Sequence, residues 1–312
     1  GGDGGSASPT PSSASPETTG VAGSDPAIST GEPITSDMTP ATGPTTTVAE
    51  TTTEVPPTEV PETTTLPSSS APASVAPEDE VWPVPDWETK DPSEAGLDPA
   101  QLALMAAKAE RAASDCLVVA HDGSIVGEWY WNGATPLSQR EAFSVTKSIS
   151  STLVGIAIDQ GYLELDQRAS DFITEWVGTP SEDVTVRNLV SNDSGLFQSD
   201  ASDYVVMPAE DDQTAYAISL EQQHPIGEVC VYNNAAIQTL EAVLERATGM
   251  DVGDFAKQYL IDPLGMQLTI NKDKAGNTLM FFGAQASCRD LARFGLLFLR
   301  GGNWNGQQIA SH

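Results

Sequence analysis

The sequence predicts an α/β chain: a strand hairpin followed by a helix-rich region, behind a long segment that cannot form a core. Three observations carry this. Residues 1–80 are dominated by Thr, Ser, Pro, Gly and acids and contain no aromatic residue. Two apolar runs flank the turn signal His121-Asp122-Gly123, the pattern of a hairpin. Past residue 140, apolar residues recur at helical spacing in runs that stop at glycine.

The leading segment buries too little apolar surface to offset its ordering entropy, so 1–80 is expected to be a disordered stalk or linker. Ser/Thr-rich chains with Pro also form O-glycosylated stalks that hold a domain away from a surface. The globular domain is expected over 81–312. It opens with a helix at about 98–113, with Asp98 as N-cap and Pro99 in the first turn. Strands follow at 116–120 and 125–131. Three longer helices are expected: 144–160 ended by Gly161, 234–248 ended by Gly249, and 287–300 ended by Gly301 and Gly302. Two strands alone do not make an independently stable sheet. Further strands are therefore expected beyond His312. The chain reads as a piece of a longer protein at both ends.

Charge narrows the partners. The formal net charge is −30, and residues 1–89 hold 14 of the 44 acids and none of the 14 Lys and Arg. Such a chain lacks the basic patches that bind nucleic acid or anionic lipid. No run approaches the ~20 apolar residues of a membrane span. The opening Gly-Gly-Asp-Gly-Gly-Ser looks like the spacer behind a bacterial lipoprotein's acylated Cys, which leaves open a lipid anchor upstream of Gly1. The expected location is secreted, periplasmic or cell-surface. The three cysteines, Cys116, Cys230 and Cys288, form no close pair, so no zinc or redox motif is expected. Cys230 and Cys288 are the preferred disulfide pair, since each lies beside a proposed site segment; the alternative is three buried thiols.

The chemistry centres on Phe143-Ser144-Val145-Thr146-Lys147, which holds the one Ser-x-x-Lys in the chain. Positions i and i+3 share a helix face, which puts the Lys amine within reach of the Ser hydroxyl. A serine in the first turn also meets the positive end of the helix dipole. A Lys screened from water gives up its proton more readily and can serve as base. By itself the motif also fits an ordinary helix start with a surface Lys. The second element is Tyr232-Asn233-Asn234, where a phenol could relay a proton and the Asn234 amide could meet a substrate carbonyl. Its plain alternative is a helix cap by Asn234. Tyr130-Trp131-Asn132 repeats the pattern but reads as a turn before Gly133.

Taken together, these segments resemble the superfamily of class C β-lactamases, D-alanyl-D-alanine carboxypeptidases and esterases, and most nearly its branch with 6-aminohexanoate-dimer hydrolase. Four stretches match in order: 143–153; Val186-Arg187-Asn188-Leu189 through Ser194-Gly195-Leu196; Ile226-Gly227 through Tyr232 and Asn234 to Pro263-Leu264-Gly265-Met266; and Gly283 through Asp290-Leu291-Ala292-Arg293-Phe294-Gly295 to Gly306. The resemblance implies an antiparallel sheet packed against a helical region, with the active site between them. It implies Ser144 as acylated nucleophile, Lys147 as base, Tyr232 as proton shuttle, and substrate contacts from Asn234 and Phe282. It implies no cofactor, and small amides, esters or peptides as substrates. β-Lactam or D-Ala peptide cleavage is the second choice, and an inactive surface-binding domain the reading of another class. Asn192 stands where many members have His. The Lys/His-Thr/Ser-Gly strand, which supplies the other oxyanion donor, does not occur in this sequence. The chain by itself is therefore expected to be inactive. A Ser-His-Asp site would need one of His121, His224 or His312; His121, in a hairpin turn, and His224, in a polar loop, read as surface residues, and no Gly-x-Ser-x-Gly elbow is present.

Overall fold

The computed structural model describes residues 80–311. The expected stalk, 1–80, lies outside the described residues except for Glu80. The first sheet contains β1 (Glu88–Thr89), β2 (Cys116–His121) and β3 (Ser124–Tyr130) in the order β1-β3-β2. β2 and β3 form the expected antiparallel hairpin, with Cys116 opposite Tyr130 and His121 opposite Ser124. The turn is built from Asp122 and Gly123 at φ 48° and 84°, the pair of left-handed residues that a tight hairpin needs. A side chain at Gly123 would overlap the Val81 carbonyl. β1 joins β3 in parallel, which two residues without periodicity did not foreshadow.

Helix α1 (Pro99–Arg111) leads into β2, and Asp98 caps it by accepting from the Ala100 N–H. A second, antiparallel sheet contains β4 (Arg140–Glu141), β5 (Thr269–Ile270) and β6 (Ala284–Ala286) in the order β4-β6-β5. Helix α2 (Val145–Asp159) leaves β4 and enters the core. Its Ile149, Leu153, Val154, Ile156 and Ala157 are buried, while Val145 at its start is exposed. Around it pack α3 (Val186–Val190), α4 (Gln213–Ile218), α5 (Asn234–Gln238), α6 (Leu240–Thr248) and α7 (Val252–Ala256). The helix expected over 234–248 divides at Thr239, whose hydroxyl donates back to the Ala236 carbonyl at 2.7 Å. Such back-bonding bends helices. Helix α8 (Cys288–Leu299) packs on β2 and is followed by a small hairpin, β7 (Asn303–Trp304) and β8 (Gln307–Gln308). The fold is thus mixed α/β, as expected, with its strands divided among small sheets.

One expectation is overturned. Cys288 is joined to Cys116, not to Cys230, and Cys230 is an exposed free thiol. Helix α8 lies against β2, which brings the Cys116 and Cys288 Cα atoms to 6.4 Å, within bridging range. Position next to a functional segment says nothing about that distance. His121 and His224 are partly exposed, in keeping with their surface reading, and His312 lies outside the described residues.

Candidate active site

Ser144 sits where β4 turns into α2, and the sequence on either side fixes that corner. The Ala142 N–H extends the β4–β6 pairing to the Ala284 carbonyl at 2.8 Å. Glu141 accepts from the backbone N–H groups of Phe143 (3.1 Å) and Gly283 (2.9 Å). Thr146, fully buried, donates to the Phe143 carbonyl at 2.6 Å and accepts from the Ala284 N–H at 3.1 Å. Phe143 is thereby held at φ 47°, a left-handed conformation uncommon for a bulky residue. Such strain persists only where the surroundings enforce it. The N–H groups of Val145, Thr146 and Lys147 bond to the carbonyls of Ala142, Phe143 and Ser144. The Ser144 N–H makes no such bond.

The three expected catalytic residues meet at one point. The Lys147 Nζ donates to the Ser144 Oγ at 3.3 Å and to the Phe281 carbonyl at 2.9 Å. The Tyr232 hydroxyl donates to the same Oγ at 2.7 Å, although 88 residues separate the two. The ammonium also lies 4.6 Å from the centre of the Tyr232 ring. Burial holds the Lys147 amine below the ordinary Lys value, partly opposed by Tyr232 and Asp203. Burial raises Tyr232, but hydrogen bonds to Lys147 and Ser144 outweigh it and leave the phenol below its usual value.

Tyr232 is positioned by the Ser194-Gly195-Leu196 segment and Asn192. Asn192 accepts from the Val231 N–H on its carbonyl (2.8 Å) and from the Asn233 N–H on its Oδ1 (3.1 Å). Asn233, not Asn234, caps α5 by accepting from the Ala236 N–H, and its amide donates to the Leu196 carbonyl at 3.1 Å. Gly195 is at φ 75°, and a side chain there would overlap the His224 carbonyl. Asn192 thus does more than fill space: it holds the backbone on both sides of Tyr232.

A cavity of about 250 Å³ opens beside Ser144. Asn234 and Phe282 are on its wall, with Phe143, Tyr204 and Phe281. Its lining contains no histidine. Asp203 is also there, and sequence reasoning missed it. One acid among 44 carries no local signal, and the contact that matters, the Asn234 N–H donating to its Oδ2 at 2.7 Å, spans 31 residues. Burial pushes the Asp203 carboxyl up, opposed by the Asn234 and Ala235 N–H groups and by Lys147. No helix among the described residues is long and apolar enough to cross a membrane.

The family model described as Beta-lactamase matches residues 100–311. The 6-aminohexanoate-dimer hydrolase of Paenarthrobacter ureafaciens is 25% identical over 223 residues, 65% of this chain and 56% of that protein. The chain therefore spans little more than half the length of this relative. Among solved structures, the octameric penicillin-binding protein homologue from Pyrococcus abyssi has a TM-score of 0.55 at 20% identity, covering 69% of this chain and 58% of its own. The class C β-lactamase from Rhodobacter sphaeroides has a TM-score of 0.52 at 19% identity, covering 68% of each chain. These two likenesses establish the fold alone. The matched family consists of hydrolases of the serine β-lactamase type. Matched over more than half its length, the chain belongs to the beta-lactamase family.

Proposed function

We propose that this chain carries the nucleophile of an exported serine hydrolase that cleaves a small amide or ester through an acyl-Ser144 ester. The supporting observation is that an amine and a phenol, Lys147 Nζ and Tyr232 OH, both lie within hydrogen-bond reach of one hydroxyl. Ser144 Oγ attacks the substrate carbonyl carbon and loses its proton to the neutral Lys147 amine. The developing oxyanion is met by the Ser144 N–H, one of the two donors such a site needs. Collapse expels the amine or alcohol, which takes a proton through Tyr232. Water then attacks the ester, its proton passes to the same base, and Ser144 is released with the acid product. Asn234 and Phe282 contact the acyl group.

The likeness to a 6-aminohexanoate-dimer hydrolase favours linear amides and esters as the substrate class. Export is supported by the Cys116–Cys288 disulfide, a bond that persists in oxidising compartments. The test uses the full-length protein: turnover of a p-nitrophenyl ester and labelling by a fluorophosphonate. Both are expected, and both should be abolished by Ser144→Ala. Equal labelling of Ser144→Ala would overturn the assignment. A wild type that neither turns over nor labels would make the protein a surface-binding relative.

A further inference from the structure

We propose that Asp203 is a positioning residue of this site: its buried carboxylate fixes the turn carrying Tyr232 and Asn234 and supplies the counter-charge of Lys147. The inference rests on the acyl-serine reading above. Asp203 lies in a π-turn, Ser202–Val206, whose next three residues, Tyr204, Val205 and Val206, are exposed while Asp203 itself is 0% exposed. Wide turns of this kind often occur at functional sites. Its Oδ2 accepts the Asn234 N–H at 2.7 Å, two residues after Tyr232. Its Oδ1 is buried without a hydrogen-bond partner among the described residues, and Asp203 is on the wall of the cavity beside Ser144.

Most buried side-chain polar atoms are hydrogen-bonded. Asp290 shows the contrast: equally buried, it receives the Ser287 N–H, the Ser287 hydroxyl and the Gln267 N–H, and pairs with Arg293. A buried charge with one oxygen unsatisfied is costly unless an opposite charge compensates it. The cation acting on Asp203 is Lys147. Lys147 has otherwise neutral partners: the Ser144 hydroxyl, the Phe281 carbonyl and the Tyr232 ring. The titratable groups acting on Lys147 are Tyr232 and Asp203, and those acting on Tyr232 are Lys147 and Asp203. The negative charge raises both proton affinities. Removing it makes Lys147 a neutral amine at lower pH, and so moves the acid limb of the rate profile downward.

The experiment is the pH dependence of ester hydrolysis by the full-length protein, with melting temperatures recorded in parallel. Asp203→Asn is expected to move the acid limb of kcat/KM down by at least about 0.5 pH unit. Asp203→Glu keeps the charge but displaces the Asn234 contact. It is expected to keep the wild-type limb while kcat falls roughly tenfold or more. A folded Asp203→Asn with an unmoved limb would overturn the proposal. Should that variant not fold, Asp203→Ser supplies the same comparison under the same criterion. Lys147→Ala separates the two readings. If it retains wild-type activity, the acyl-serine mechanism with a Lys base is what fails. If it is inactive and the Asp203→Asn limb is unmoved, only the role of Asp203 fails.

Discussion

At the scale of single residues, the site depends on a lysine that is cheap to deprotonate. Lys147 lies in a half-buried position where desolvation outweighs the opposing effects of Tyr232 and Asp203, so its ammonium is less favourable than in water. Activity should therefore rise with pH through a midpoint below the ordinary Lys value of about 10.4. Lys147→Ala should lower kcat/KM by about 10²–10⁴-fold and remove that limb. A loss under about tenfold would take the base role from Lys147. Tyr232→Phe should lower kcat more than it raises KM, because the phenol moves a proton rather than binding substrate. The Ser144–Lys147 pair was legible in the sequence because i,i+3 spacing is local geometry. Tyr232 was legible only through its motif context. Asp203 was not legible at all, since its meaning depends on a turn brought to it by the fold.

At the scale of elements, the corner between β4 and α2 is the part on which the chemistry rests. Thr146 ties both sides of that corner through one hydroxyl. Thr146→Val keeps the shape but leaves the Ala284 N–H without its acceptor, at a cost of about 1–3 kcal/mol. The same change frees Phe143 from its left-handed conformation, so kcat should fall with little change in KM. A variant as stable and as active as wild type would show that the corner holds itself. Helix starts and stops were readable here because caps and glycines act within a turn: Asp98, Gly161 and Gly249 all do as expected. The strands β1, β4, β5 and β6 were not, because each is two or three residues long and exists only through its partner. The division at Thr239 was equally hidden, since a threonine that back-bonds looks like one that does not.

At the scale of the whole molecule, acidity and one covalent tie set the behaviour. Glu241 is 2% exposed and lies on the wall of a cavity of about 680 Å³ whose lining does not include Ser144. Burial first, then the charge of Glu245, push its carboxyl up to about 8. Unfolded, the same group titrates near 4.3. Between those values the folded protein holds a proton that the unfolded chain has released, so stability falls as pH rises through this window. Glu241→Gln, neutral throughout, should melt above wild type at pH 8, and the difference should close toward pH 4. A gap independent of pH would mean that packing, not ionisation, is responsible. The bridge between Cys116 and Cys288 closes a separation of 172 residues, which corresponds to about 5 kcal/mol of chain entropy. Reduction should lower the melting temperature sharply, whereas Cys230→Ser should leave it unchanged. That one disulfide was possible could be read from the cysteine count, but its partners could not, because α8 meets β2 only in the folded chain.

That bridge also determines how the protein would carry a mechanical load. Tension applied between handles placed before Trp82 and after Ala310 enters through α1 and leaves through α8, crossing directly between them at the Cys116–Cys288 bond. The segment between those cysteines, with Ser144, Lys147 and Tyr232 inside it, is taken out of the force path. Stretched on a pulling instrument, the oxidised molecule should yield only its short flanks. Roughly 600 Å of further extension should appear only after a reductant is added, given about 3.3–3.6 Å for each residue released.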